Sequence, residues 1–327
     1  MNVAVVGAGS WGTALAAHLA RRGHALSLWS RDPALAQQLA AGGGNPRYLP
    51  GVTLPAIAAT SDLGAAVAGA EVVFVAVPSE FCRATYRAIR DGLDAGTILV
   101  SATKGLEIDS LRRMSEVAGE EVPGRAVAVL SGPSFALEVA QGQPTTVVVA
   151  SKDVAVAEAV QHAVSSRAFR AYSSDDVTGV ELGGALKNVI AIAAGILDGL
   201  GYGHNTVAAL ITRGLAEIAR LSVALGARPD TLSGLAGLGD LVLTCTGALS
   251  RNRRLGHALG AGRSLEDALG ALHMVAEGVR TTRAACALAR QSGVEMPIAE
   301  QMRAVLYEGK SPREGVEELM LRTLKRE

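Results

Sequence analysis

Val3 to Arg22 reads V-A-V-V-G-A-G-S-W-G-T-A-L-A-A-H-L-A-R-R, and its three parts decide the architecture of the first half of the chain. Val3 to Val6 is a short, wholly apolar, valine-rich run, the pattern of a buried strand. Gly7, Gly9 and Gly12 then set out G-x-G-x-x-G, and an Ala/Leu-rich helix continues to about Arg22. Between a strand and a helix these glycines permit a tight turn and the close approach of a pyrophosphate, which sits on the positive end of the helix. The same spacing alone would also serve a turn that only packs helix on strand. The first twenty residues carry no charge, but no basic start precedes them, and Asn2, Ser10, Thr13, His18 and three glycines interrupt them. That is neither a signal peptide's continuous apolar centre nor the run of about 20 mainly apolar residues that spans a bilayer.

A chain of 327 residues suggests two domains. Thirty-one basic residues balance thirty-one acidic ones, so no general positive field favours a nucleic acid or an anionic membrane, and any anion must be held by a local constellation. No later uncharged run is long enough for stable membrane insertion. Cys82, Cys245 and Cys286 are odd in number and form no C-x-x-C, which fits reduced thiols in the cytoplasm and argues against a disulfide frame or a zinc site; no metal is expected.

Outward from the glycine turn, Ala25 to Trp29 makes a second strand, followed by Ser30-Arg31-Asp32. An acid at this strand end holds the ribose hydroxyls of NAD, whereas an arginine takes the extra phosphate of NADP. Arg31 comes first, so NADP(H) is favoured and NAD(H) stays open; Asp32-Pro33 also reads as a helix start, Asp as N-cap and Pro as first helical residue. Gly42 to Gly51, carrying N-P-R-Y-L-P-G, reads as a surface loop. Strand-like runs follow at A-I-A-A-T, E-V-V-F-V-A-V-P-S, T-I-L-V-S-A-T-K-G, A-V-A-V-L-S-G-P-S-F-A, T-T-V-V-V-A and A-F-R-A-Y. Ligands collect at the carboxyl ends of strands in an open parallel sheet, which makes Ser79, Lys104 and Ser131 to Ala136 candidate site lining. After Ser174 the pattern turns helical, with candidates at Thr206 to Gly226, Arg253 to Gly260, Ser264 to Leu272, Gly278 to Ser292 and Pro297 to Leu306. The fold class expected is therefore an α/β N-terminal Rossmann-type domain, residues 1–173, with a mainly parallel doubly wound sheet, followed by an all-α C-terminal domain, residues 174–327.

Three features of the helical half could carry chemistry. In T-G-V-E-L-G-G-A-L-K-N-V-I-A-I-A-A-G-I-L-D-G-L-G, Thr178 to Gly201, Lys187 has Gly183 and Gly184 one turn before it and Ile190 and Ala191 one turn after, so its own helix offers no carboxylate. Desolvation lowers a lysine's pKa toward that of a usable general base, although a lysine can also snorkel from a helix edge to water. Asp240 is the one acid in G-L-A-G-L-G-D-L-V-L-T-C-T, and reads either as a buried functional carboxylate or as a helix cap. Ser250-Arg251-Asn252-Arg253-Arg254 gathers a guanidinium, an amide and a hydroxyl, a set that suits a phosphate but also a solvated basic face.

Over nearly its whole length the sequence resembles the bacterial-type NAD(P)-dependent glycerol-3-phosphate dehydrogenases, through G-A-G-S-W-G-T-A-L-A, N-P-R-Y-L-P-G, T-K-G, L-S-G-P-S-F-A, L-K-N-V-I-A-I, G-L-G-D-L-V-L-T-C, S-R-N-R-R-L-G and V-A-E-G-V, in that order. The resemblance implies reversible reduction of dihydroxyacetone phosphate to sn-glycerol 3-phosphate for phospholipid synthesis, and a homodimer. It implies Lys187 as proton acceptor, with Lys104 and Asp240 beside the chemistry. Gly132, Ser134, Ser250, Arg251 and Asn252 would be the further substrate contacts. Cofactor contacts would be Ser10, Trp11, Arg31, Lys104, Ala136, Arg251, Val275 and Glu277, with Gly7, Gly9 and Gly12 of the turn. A related hydroxy-acid or sugar-acid dehydrogenase would call for carboxylate recognition and gives no reason for the Ser-Arg-Asn cluster. A dinucleotide sensor without turnover would leave Lys187 and Asp240 idle.

Overall fold

The computed structural model describes residues 1–272 and 276–324. It divides into two compact units, one of residues 1–107 and 112–181, the other of residues 108–111 and 182–327. The cut falls inside the helix Val177–Gly199 rather than at residue 173. Glu181 explains this: its carboxylate accepts from Arg113 Nη1 at 2.6 Å, Ser115 N at 2.8 Å and Ser115 Oγ at 2.6 Å, which ties the first turn of the helix to the first unit.

The first unit is built on eight strands: β1 (Asn2–Val6), β2 (Ala25–Trp29), β3 (Ala58–Thr60), β4 (Val72–Val75), β5 (Ile98–Ser101), β6 (Val127–Ser131), β7 (Thr145–Ala150) and β8 (Phe169–Ser174). Their order in the sheet is β3-β2-β1-β4-β5-β6-β7-β8. All neighbours run parallel except β6 and β7, which are antiparallel, with Leu130 opposite Val149. The chain thus leaves β1 toward one edge and returns through β4 toward the other. The order reverses at β1, where an open α/β sheet binds its ligands at the strands' carboxyl ends. β4 is buried along its whole length, as expected of a strand covered by helices on both faces. One core cluster gathers Val3, Val5, Leu15, Leu19, Phe74 and Phe169, and the other gathers Val6, Val73, Val75, Tyr86 and Met114. Val5 and Val6 point into different clusters because successive strand residues face opposite sides of the sheet.

Among the described residues the second unit is helical. Its central element is the later part of Val177–Gly199, flanked by His204–Ala224, Pro229–Ser233, a π-turn at Leu235–Gly239, Asp240–Thr246, Arg251–Gly260, Leu265–Gly270, Glu277–Gln291, Pro297–Tyr307 and Pro312–Met320. Val177–Gly199 is long and apolar enough to cross a membrane by composition, but its apolar window is entirely buried within the protein. It is hydrophobic all round because neighbours surround it.

Candidate active site

In the first unit the glycine turn joins β1 to the helix Ser10–Arg21. Gly7 has φ +117, and a Cβ there would lie 2.8 Å from the Ala76 carbonyl oxygen; a Cβ on Gly12 would lie 1.8 Å from that of Gly7. Both positions exclude any side chain. A Cβ on Gly9 would meet nothing within 4 Å. The first and third glycines are therefore consumed by internal packing, while the middle one faces open space at a helix N-terminus, which is the cradle a pyrophosphate needs. Ser10 Oγ donates to the Tyr48 carbonyl at 2.8 Å, and the buried Trp11 Nε1 has no partner among the described residues.

Beyond β2, Arg31 places its guanidinium over the Phe81 ring, 5.3 Å from its centroid. Asp32 caps the helix Pro33–Ala40: its Oδ1 accepts from Ala34 N at 3.0 Å and Leu35 N at 3.4 Å, while Oδ2 lies 3.8 Å from Arg47 Nη1. Asp32 Oδ1 is thus engaged by the helix start while Oδ2 stays within ion-pair distance of Arg47, and Arg31 and Asp32 are both exposed at this strand end.

Lys104, after β5, reaches across to the end of β6. Its Nζ donates to the Gly132 carbonyl at 2.7 Å and to Ser134 Oγ at 3.4 Å; Ser134 Oγ itself donates to the Gly132 carbonyl at 2.9 Å. Gly132 has φ +127 and a Cβ there would lie 3.0 Å from Val147 Cα, so L-S-G-P-S requires its glycine. Ala136 opens the short helix Ala136–Ala140 beside this group.

In the second unit Lys187 is 5% exposed and Asp240 1%. Lys187 Nζ donates to Asp240 Oδ1 and, at 2.8 Å, to Thr244 Oγ1, whose hydroxyl donates to the Asp240 carbonyl at 2.6 Å. The helix itself offers Lys187 no carboxylate, but a residue 53 positions later does. The head group does not reach water, so the stem is not snorkelling. Lys187 and Asp240 thus form a buried ion pair, with Thr244 holding the ammonium from a second side. The glycines explain how the partners meet. A Cβ on Gly183, one turn before Lys187, would lie 2.5 Å from the Ala236 carbonyl, and one on Gly237 would lie 2.0 Å from the Leu232 carbonyl. Only glycine at these positions lets the π-turn lie against the lysine's helix and start the next helix with Asp240 facing it.

Of the Ser-Arg-Asn cluster, Ser250 is the N-cap of Arg251–Gly260, accepting from Arg253 N at 3.2 Å and keeping its own O–H donor. Asn252 is committed inside the protein, donating to Asn188 Oδ1 at 2.9 Å and accepting from Gly278 N at 3.0 Å. The side chain of Arg251, first residue of that helix, makes no hydrogen bond or ion pair among the described residues. Burial pulls its guanidinium below its ordinary value, the charge of Glu277 acting the other way, yet an arginine stays charged across the accessible pH range. A partly buried cation without a protein anion in contact, at a helix N-terminus, is equipped to hold an anion. Glu277 opens the helix Glu277–Gln291. Val275, expected to contact the cofactor, lies outside the described residues. Among the described residues no group of three or more metal-ligating side chains occurs. Thr244 and Asn188 were not singled out by the sequence. A threonine one turn after Asp240 and an asparagine beside Lys187 are the only local signals, and neither spacing is specific.

Two family models cover the chain. One for the N-terminus of NAD-dependent glycerol-3-phosphate dehydrogenase matches residues 2–157, and one for its C-terminus matches residues 176–317. A glycerol-3-phosphate dehydrogenase [NAD(P)+] of Syntrophotalea carbinolica is 54% identical over 331 residues, covering 100% of this chain and 99% of that protein. One from Moorella thermoacetica is 54% identical, covering 98% of this chain and 96% of its own. The crystal structure of glycerol-3-phosphate dehydrogenase from Coxiella burnetii matches with a TM-score of 0.94 at 43% identity, covering 98% of this chain and 99% of that one.

Proposed function

The chain belongs to the NAD-dependent glycerol-3-phosphate dehydrogenase family, and we propose that Lys187 is the residue through which it moves the proton of that family's reaction. The reaction is the reduction of dihydroxyacetone phosphate to sn-glycerol 3-phosphate with NADPH or NADH, and its product enters glycerophospholipid metabolism. When bound, the nicotinamide supplies the hydride. As the carbonyl oxygen gains charge, the Lys187 ammonium donates its proton to it; in the reverse direction the neutral amine takes the hydroxyl proton. Asp240 and Thr244 fix Nζ in place, and the buried pair is the single observation that carries this assignment. Lys104 supplies a second cation that polarises the same carbonyl, with Gly132 and Ser134 holding its ammonium.

Arg251, with Ser250 at the helix start, holds the substrate's phosphate; Asn252 acts by keeping that helix start in register with Asn188 and Gly278. Gly7, Gly9, Ser10, Trp11 and Gly12 receive the pyrophosphate, Arg31 the adenosine end, and Ala136, Lys104, Arg251 and Glu277 the remainder. Arg31 exposed at the strand end, with one Asp32 oxygen engaged as a helix cap, favours the extra phosphate of NADPH. Cytoplasmic location rests on three free cysteines, and a homodimer without membrane insertion rests on the family resemblance. Mixing the protein with NADPH and dihydroxyacetone phosphate should consume the nicotinamide absorbance only when both are present. Consumption with a 2-oxo acid in place of the phosphate ester would contradict the substrate reading.

A further inference from the structure

The loop N-P-R-Y-L-P-G has no role in the chemistry above, yet it carries one of the most buried amides in the protein. Asn45, 1% exposed, donates through Nδ2 to the Ala8 carbonyl at 3.0 Å and to Thr13 Oγ1 at 2.8 Å, while its Oδ1 accepts from Tyr48 N at 3.1 Å. Its carbonyl also accepts from Leu49 N at 2.8 Å. The Ser10 hydroxyl closes the loop onto the turn from the other side through the Tyr48 carbonyl at 2.8 Å. Leu49 is buried, and Tyr48 and Val52 pack on the sheet's core, so the loop is a fixed strap.

A trans peptide is planar, and its C=O and N–H point in opposite directions. Holding the Ala8 carbonyl toward Asn45 therefore directs the N–H of Gly9 away from the loop. Gly9 is the one glycine of the three whose surroundings are open. Glycine has few steric restraints of its own, so without an outside hold the Ala8-Gly9 peptide could rotate. We propose that Asn45 is a positioning residue of the dinucleotide site, aiming the Gly9 amide at the pyrophosphate. The proposal rests on the glycine turn being the cofactor's phosphate cradle.

Calorimetric titration of the whole protein with NADPH and with NADH tests it, alongside hydrogen exchange of residues 8–13 without cofactor. Asn45→Ala should weaken both cofactors by the same factor, roughly tenfold, because both share the pyrophosphate, and should speed exchange in the turn. Asn45→Asp keeps the acceptor for Tyr48 N but sets an anion against the Ala8 carbonyl, and should weaken both at least as much. Thr97→Val removes a buried hydrogen bond of the same unit, from Thr97 Oγ1 to the Ala70 carbonyl, and should leave both affinities unchanged. If Asn45→Ala does not fold, Thr13→Val, which removes one of the two acceptors, takes its place, and weakening of roughly threefold is expected. A folded Asn45→Ala or Thr13→Val with wild-type affinities and wild-type exchange overturns the proposal. Wild-type protein that binds neither nucleotide overturns the cofactor reading itself.

Discussion

Lys187 and Arg251 are both cations held within the helical unit, and what separates them is whether a carboxylate is in contact. Lys187 has Asp240; Arg251 has only the more distant charge of Glu277. In the roles proposed for them, the first manages a proton and the second holds an anion. Arg251→Lys keeps the charge but loses the planar fork, and steady-state kinetics should show a markedly raised KM for dihydroxyacetone phosphate, with turnover falling where phosphate binding also positions the reacting carbon. A variant unchanged in both would make the cluster a basic surface. Glu217 is a buried acid outside the chemistry. It caps Pro297–Tyr307, accepting from Ile298 N at 2.8 Å and Ala299 N at 3.4 Å, and burial pushes its carboxyl up to about 7. Between its ordinary value and that one the folded protein binds the extra proton, so this group's contribution to stability falls as pH rises from about 4.5 to 7, by on the order of 3 kcal/mol. Glu217→Gln should flatten the thermal midpoint across that window, and an unchanged slope would place the titration elsewhere. Arg31 and Lys187 were legible as residues because strand ends and helical spacing are local patterns. Asp240 as the lysine's partner was reached only through the family resemblance, because 53 residues and a π-turn separate the two and no local pattern joins them.

Helices Val177–Gly199 and Arg251–Gly260 cross backbone to backbone, a feature carried by two G-x-x-x-G pairs that went unread in the sequence. A Cβ on Gly195 would lie 1.9 Å from the Arg253 carbonyl, on Gly256 1.9 Å from that of Ile192, on Gly199 2.3 Å from that of His257, and on Gly260 2.4 Å from that of Ile196. Alanine at Gly256 would gain about 1 kcal/mol of helix propensity and lose about 1–3 kcal/mol to overpacking against an atom that cannot move aside, so the clash wins. Gly256→Ala should lower the thermal midpoint. Gly119→Ala, in a helix where a Cβ would meet nothing within 4 Å, should leave it unchanged or raise it. The eight strands were readable because short apolar runs bounded by Gly, Pro and polar residues are local signals. The antiparallel turn between β6 and β7 was not, since strand direction is set by the path of the connection. Leu235–Gly239 was missed because glycine has poor helix propensity, and Asp240–Thr246 because it is short and rich in Val, Thr and Cys, so tertiary packing forms both. Pro312–Met320, with its Ser311 and Glu314 capping box, had a readable start signal that was passed over.

At the scale of the whole molecule the candidate site residues are divided between the units. The first unit carries the glycine turn, Arg31 and the Lys104 group; the second carries Lys187, Asp240, Thr244 and Arg251. With basic and acidic residues balanced, no net charge draws the phosphorylated substrate in, and the proposal gives that work to local groups such as Arg251. The central claim is that the one lysine buried in the apolar core helix moves the proton. Lys187→Met tests it most directly, because methionine keeps the length and apolar stem but carries no proton. The turnover of dihydroxyacetone phosphate by the folded variant, with NADPH affinity measured beside it, should fall by about 10²–10⁴ while that affinity is retained. A Met variant that turns over near the wild-type rate would contradict the account.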